Sequence, residues 1–377
     1  MNLICLHAVP TFKYIMLKVE DFEKYAMDNL PGSVFDHVHD GSDDQDTLKD
    51  NCRAFKRYRI RPRVLRDVSK RDLSVTMLGH RVQFPIGIAP SALHKLACSD
   101  GELATAKAAT AMGTIMILST YATSSIEEVA MAAPGAHLWF QLYILTDRKR
   151  TEQLVQRAES AGYKALVVTV DYPYAAKKLS EERRGGFNPK VSFPNFEGAS
   201  FNSQRSTGYL ASYNSSEISP SVTWADIQWL RSLTKLPVIV KGILTGEGAL
   251  EAVANGVDGI IVSNHGGRQL DGVPATIDVL PEVLVATRGS NVELYLDGGI
   301  RQGTDVLKAL ALGARAVFIG RPAWWGLTYK GEEGVCKVLQ ILRDEFDLAL
   351  ALSGCASVRD LAPSMVVPGP DVGDARL

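Results

Sequence analysis

The sequence contains no pair of cysteines that could frame a small domain. Its five, Cys5, Cys52, Cys98, Cys336 and Cys355, are odd in number, far apart and free of any C-x-x-C spacing. That excludes a disulfide scaffold and a thiolate zinc site, and the thiols read as reduced and mostly buried in an intracellular chain. An excess of charge is also missing, with 41 basic against 42 acidic side chains. Neither nucleic acid nor an anionic membrane surface therefore has an electrostatic footprint to bind. Apolar runs such as 165–170 and 259–262 fall far below the ~20 residues that span a bilayer. Residues 1–10 lack the basic start and small-residue cleavage site of a secretory signal, so 1–16 read as an N-terminal extension. His7, His80, His94 and His137 show no metal-ligand spacing and read as surface or packing residues. His37-x-His39 could share an ion, but no third ligand is in evidence and no metal is expected.

What the chain does have is apolar bulk and a repeat. Hydrophobic residues make up 46% of 377, enough for one large core. Eight short apolar runs recur at 85–90, 115–120, 138–143, 165–171, 237–242, 259–265, 293–299 and 316–321, each followed by a helical stretch. Helix starts are marked by Ser99-x-x-Glu102, Ser124-x-x-Glu127 and Thr223-x-x-Asp226, the capping-box form that satisfies orphan N–H groups. The alanine-rich stretch 103–112 favours helix outright. Continuous apolar strands alternating with helices predict a parallel sheet covered on both faces, and eight such units predict an α/β chain closed into a (β/α)₈ TIM barrel. A doubly wound open sheet is the other arrangement that this pattern allows.

Two segments stand outside the repeat. Residues 17–80 read as an N-terminal helical cap, with an acidic run at 40–46 and a basic run at 53–66 that read as solvated faces. A long excursion after the fourth strand, about 177–222, reads as a lid loop. The barrel then covers 81–361, and 362–377 form a C-terminal tail. The tail ends in Ala375-Arg376-Leu377, which has the small-basic-leucine form read by the peroxisomal import receptor. The sequon at Asn214 has no use in a chain without a secretion signal.

Barrel chemistry gathers where strands end. Here those ends carry Ser91, Ser119, Thr120, Tyr121, Gln141, Tyr143, Thr169, Asp171, Lys241, Ser263, His265, Asp297 and Arg321. Asp297-Gly298-Gly299-Ile-Arg301 and Gly320-Arg321 follow the last two strands, where barrels commonly bind phosphate through exposed backbone N–H groups. Tight turns alone are the other reading of those glycines. Lys241 suits either a Schiff-base aldolase or a fixed positive charge beside an anionic reduced cofactor. His265 is a candidate general base, Asp171 its ion-pair partner, and Arg268 a guanidinium able to hold a carboxylate.

Together with Val-Lys-Gly at 240–242, Ser-Asn-His-Gly-Gly-Arg-Gln-Leu-Asp at 263–271, Leu-Asp-Gly-Gly-Ile-Arg at 296–301 and Gly-Arg-Pro at 320–322, these residues resemble the FMN-dependent α-hydroxy-acid oxidizing family. The likeness spans about 17–361 and is nearest to the animal peroxisomal 2-hydroxy-acid (glycolate-type) oxidases. It implies FMN held by Ser91, Ala92, Ser119, Gln141, Thr169, Lys241 and Ser263 around ring and ribityl, with Asp297, Gly298, Gly299, Arg301, Gly320 and Arg321 around ribityl and phosphate. It implies further that Tyr143 meets the substrate hydroxyl, Arg268 the carboxylate, and His265 takes a proton. The products would be a 2-oxo acid and hydrogen peroxide, made from a small (S)-2-hydroxy acid and O2 by a peroxisomal homotetramer or octamer. Three positions depart from the family pattern. His37 stands at a cap tyrosine that meets the carboxylate, Tyr121 at a tryptophan, and Lys178 at an arginine after the fourth strand. A longer substrate than glycolate, or a flavin-binding member with weak or altered activity, follows from those departures.

Overall fold

The computed structural model describes residues 14–196 and 217–369. Residues 1–13 of the extension, 197–216 of the long loop with the Asn214 sequon, and Ala375-Arg376-Leu377 lie outside the described residues. The eight apolar runs form eight parallel strands: β1 (Ile86–Ile88), β2 (Ile115–Leu118), β3 (His137–Leu142), β4 (Leu166–Thr169), β5 (Val238–Ile243), β6 (Gly259–Val262), β7 (Glu293–Asp297) and β8 (Ala316–Ile319). They pair in chain order, and β8 pairs β1 to close the barrel. Closure excludes the doubly wound sheet.

Alternation along each strand explains both core and site. Ile115, Ile117, Trp139, Val167, Ile239, Ile261, Tyr295 and Phe318 pack together as the barrel interior, with Trp139, Tyr295 and Phe318 ring centroids 5.5–5.7 Å apart. Continuing the same two-residue period past that plug reaches Ser119, Gln141, Thr169, Lys241, Ser263 and Asp297. The other face packs against the helices. A hairpin of Val75–Met77 and His80–Val82 contributes Met77 and Val82 to the interior cluster, at the end opposite the site.

Three helices precede the barrel: α1 (Val19–Asn29), α2 (Gly32–His39) and α3 (Asp46–Arg57). Those that follow the strands are α4 (Gly101–Ala111), α5 (Ile126–Ala132), α6 (Arg148–Ser160), α7 (Leu179–Arg183), α8 (Trp224–Leu233), α9 (Gly246–Ala254), α10 (Thr276–Ala286), α11 (Gly303–Ala311) and α12 (Arg321–Leu352). The last is broken at Lys330-Gly331, where glycine takes φ 56°. Phe22 and Tyr25 of α1 meet Tyr329 of α12 edge to face.

Several expectations about local structure need correcting. The Thr223/Asp226 capping box forms, but the box at α5 is Ser125 with Glu128, one residue later than expected. Ser124 donates instead to Glu102, and Glu127 pairs with Arg157. Glu102 caps nothing, because it is buried and also accepts from the His94 and Thr123 amides. Of the described cysteines only Cys355 is buried. The acidic run is not wholly solvated either, since the Ser42 amide donates to the Gly267 carbonyl at 2.9 Å and Ser42 is buried.

That junction of α3 with the barrel depends on glycine. Gly299 has φ +84°, and a Cβ there would lie 2.1 Å from the Asn51 carbonyl oxygen, which is backbone and cannot swing aside. Gly299→Ala should therefore destabilise the fold by about 2–4 kcal/mol, combining a left-handed alanine with overpacking. A urea midpoint unchanged from the parent would show that α3 can shift without cost.

Candidate active site

Thr120 aside, every site residue expected from the sequence except Asp171 and Ser263 lines one cavity of about 720 Å³ at the carboxyl ends of the strands. Those two lie immediately behind it. Ser263 accepts from Lys241 Nζ at 2.9 Å and from the His265 amide at 3.1 Å, so it buttresses the lysine and the turn that follows.

That turn presents His265. His265, Gly266 and Gly267 take φ 58°, 67° and 72° in succession, a left-handed run that costs a histidine energy and reverses the chain after β6. A reciprocal amide pair holds it: Asn51 Nδ2 donates to Asn264 Oδ1 at 2.9 Å, and Asn264 Nδ2 to Asn51 Oδ1 at 2.8 Å. Nothing in the local pattern around Asn51 marks it as part of the site. His265 Nδ1 lies 2.7 Å from Asp171 Oδ1. Because an ionised carboxylate only accepts, Nδ1 carries the proton and Nε2 keeps a lone pair. Burial lowers the His265 pKa from 6.5, Asp171 opposes that, and Lys241 adds to it. Burial works to raise Asp171, yet the neighbouring His265 and Lys241 hold it below the usual carboxylate range. Gly242 makes this fit possible, since a Cβ there would sit 2.6 Å from the Asp171 Cβ.

Lys241 is enclosed by Ser263 and by Asp297, whose Oδ2 is 3.4 Å from Nζ. Burial alone would lower its pKa, but Asp297 and Asp171 outweigh it and raise it. A Schiff base needs a neutral amine. The Asp297 contact and the nearby Asp171 favour the charged form, which fits the fixed-charge reading of this lysine and not the aldolase one.

Arg268 uses Nη1 on the His37, Val38 and Asp40 carbonyls, at 2.7, 3.2 and 3.1 Å, where α2 ends. Its Nε and Nη2 edge has no hydrogen-bond partner among the described residues and remains as a fork for an anion. Arg321 donates to the Val38, Gly266 and Asp40 carbonyls. Burial and the nearby Arg268 and Arg301 push its pKa down to about 9. Among the described residues none of these three arginines forms a salt bridge, so their charges call for an anion from outside.

The donor set fits FMN. A buried Gln141 Nε2 and a buried Asp297 Oδ1 lack partners, as expected where a flavin ring and ribityl chain would supply them. Gly298 and Gly299 have φ 91° and 84°, and Arg301 and Arg321 line the same cavity.

The lid side holds what sequence reasoning missed. Glu181 of α7 accepts from His37 Nδ1 at 2.8 Å and from Lys178 Nζ at 3.1 Å. His37 and His39 take different carboxylates, so they form no metal pair. Of the surface and packing roles expected for His94 the structure gives the second: it is buried, with Nε2 2.7 Å from Ser91 Oγ and Nδ1 3.0 Å from Thr105 Oγ1. Tyr121 lies against Phe196 at 4.9 Å and Phe193 at 5.7 Å between centroids. Tyr172, adjacent to Asp171, stands 5.8 Å from the His265 ring.

Comparison with known proteins gives the same cavity a lineage. A human protein, "2-Hydroxyacid oxidase 1", is 52% identical over 94% of this chain and 97% of its own. "Glycolate oxidase 5" of Oryza sativa subsp. japonica is 50% identical over 94% and 96%. The crystal structure titled "Mandelate oxidase" shares 40% identity, covers 94% of this chain and 99% of its own, and superposes with a TM-score of 0.86. The family described as FMN-dependent dehydrogenase matches residues 26–368. The closed barrel, the anion-seeking arginines and the His265–Asp171 pair thus belong to a chain that is a member of the FMN-dependent dehydrogenase family, with FMN as its cofactor.

Proposed function

We propose that the protein is an (S)-2-hydroxy-acid oxidase, converting a 2-hydroxy acid and O2 into a 2-oxo acid and hydrogen peroxide. The observation that carries this reading is the His265–Asp171 pair at 2.7 Å, set in the same cavity as the open edge of Arg268. The names of the human and rice relatives support it.

FMN, when bound, would supply the two-electron acceptor, with O2 as the final oxidant and hydrogen peroxide as its product. The chain's own residues do the rest. Arg268 receives the substrate carboxylate on its Nε and Nη2 edge, fixing the 2-carbon beside His265. His265 Nε2 takes one of the two protons that the substrate loses with its two electrons, the other leaving to the acceptor, and Asp171 steadies the imidazolium that results. Tyr143 is buried, and burial with Tyr172 and Asp171 nearby raises its pKa well above 10, so it stays a hydroxyl donor toward the substrate oxygen. Lys241 keeps a positive charge where negative charge accumulates.

The aromatic wall of Tyr121, Tyr143 and Phe193, which line the cavity, provides apolar surface that glycolate, with no side chain, cannot use. A substrate with a longer or aromatic tail fits it better. A peroxide-forming activity belongs in a peroxisome, and a homotetramer or octamer completes the same reading.

Peroxide assayed against a panel of 2-hydroxy acids should appear one for one with the 2-oxo acid. An active dye-linked enzyme that makes no peroxide would show that O2 is not its acceptor. Replacing His265 with Gln should leave FMN bound and slow its anaerobic reduction by substrate by about 10²–10⁴-fold; reduction at the parent rate removes the base assignment.

The base works unprotonated, so kcat/KM should be full at neutral pH and fall on acidification through a pKa below 6.5. Asp171 raises that pKa. Asp171→Asn should therefore move the acid limb to lower pH while lowering the plateau, and a limb that moves upward contradicts the pairing.

A further inference from the structure

Between α2 of the cap and α7 of the lid, two nitrogen bases share one acid. Glu181 Oε1 accepts from His37 Nδ1 at 2.8 Å and from Lys178 Nζ at 3.1 Å, and the three side chains are 13–16% exposed. All three line the cavity with Arg268. The mechanism above gives Glu181 nothing to do, yet a buried carboxylate is costly to place and needs a compensating role.

Its contacts change what this end of the cavity offers. An ionised carboxylate only accepts, so His37 spends its Nδ1–H on Glu181 and keeps an acceptor lone pair at Nε2. The ring is fixed there by stacking on Phe187, 4.0 Å between centroids and 14° from parallel. A neutral imidazole so placed cannot donate to an incoming anion. Lys178 keeps its ammonium against the same oxygen, and the pair adds no net positive charge. Arg268 is left with its open edge and no carboxylate within ion-pair distance among the described residues.

We propose that Glu181 is a built-in carboxylate that sets anion selectivity: it takes up His37 and Lys178, so that Arg268 alone anchors the substrate acid and a second negative charge on the ligand is disfavoured. This rests on the reading of Arg268 as the carboxylate anchor. It favours monocarboxylic 2-hydroxy acids with an uncharged tail over 2-hydroxy dicarboxylates. It also accounts for His37 and Lys178 together, because replacing either one alone would leave Glu181 short of a donor.

The test uses the FMN-loaded full chain and the dianion oxalate, with binding read by calorimetry and by perturbation of the flavin spectrum. Measurements at about pH 6 keep Lys178 charged in the parent, where burial and Arg268 lower its pKa to about 7; in the variants the bound dianion supplies the raising effect that Glu181 gave. Glu181→Gln should tighten oxalate at least about tenfold by freeing one ammonium. Lys178→Met added to Glu181→Gln should return the affinity to near the parent value, because the pair contributes no net charge. Glu181→Ala should act in the same direction and serves if the glutamine variant does not fold. Oxalate binding by the Glu181 variants that is equal to or weaker than the parent overturns the proposal and leaves Glu181 a strut between lid and cap. Arg268→Met distinguishes the underlying reading: if it binds oxalate as the parent does, the anchor assignment fails, whatever the Glu181 variants show.

Discussion

The structure turns on burying charge at the mouth of the barrel without leaving it unbalanced. Lys241 sits against Asp297 at 3.4 Å, Asp171 lies within its field, and Asp171 in turn holds His265 at 2.7 Å. An isolated ion at that depth would cost several kcal/mol, and breaking one partner of such a set about 3–5 kcal/mol. Each member is therefore fixed by the next. The lysine stays charged, the aspartate stays ionised, and the histidine is held neutral with one nitrogen open. The chemistry assigned to the site is a consequence of that balance, and so are the small residues around it, Gly242 above all.

The arginines are balanced differently. Arg268 and Arg321 lean on carbonyls at the end of α2, where helix geometry leaves acceptors unpaired and partial negative charge gathers. This arrangement docks the cap through the same groups that face the ligand. Carbonyl dipoles do not discharge a guanidinium, so the cluster retains its demand for phosphate and carboxylate.

The barrel was legible because its signals are redundant. Parallel strands covered on both faces read as continuous apolar runs, and polar residues at eight successive strand ends have no packing explanation. His265, Asp171, Lys241 and Arg268 could be picked out for that reason. What escaped was set by tertiary contact. The expected caps at Ser99 and Ser124 failed because Glu102 is drawn under the His94 and Thr123 amides, a demand that no local window contains. Asn51 joins the site only when α3 docks on the turn after β6, across 213 residues of chain. His94 packs inside, as one of its two expected roles has it, but that its single imidazole bridges Ser91 and Thr105 is visible only in the fold. Glu181 lies in a loop without periodicity. Its spacing from Lys178 is that of an ordinary surface pair, and only the fold shows that His37 completes it.

The work of this balanced cavity is to remove two electrons from a 2-hydroxy acid. Its most direct test is the visible absorbance of the purified protein, recorded without oxygen before and after adding glycolate, lactate and a long-chain 2-hydroxy acid. A yellow protein is expected, bleached by a 2-hydroxy acid, most readily by the one with the longer tail, with colour returning when air is admitted. A yellow protein bleached by none of them would contradict the oxidase, and a colourless protein unable to take up FMN would contradict the site itself.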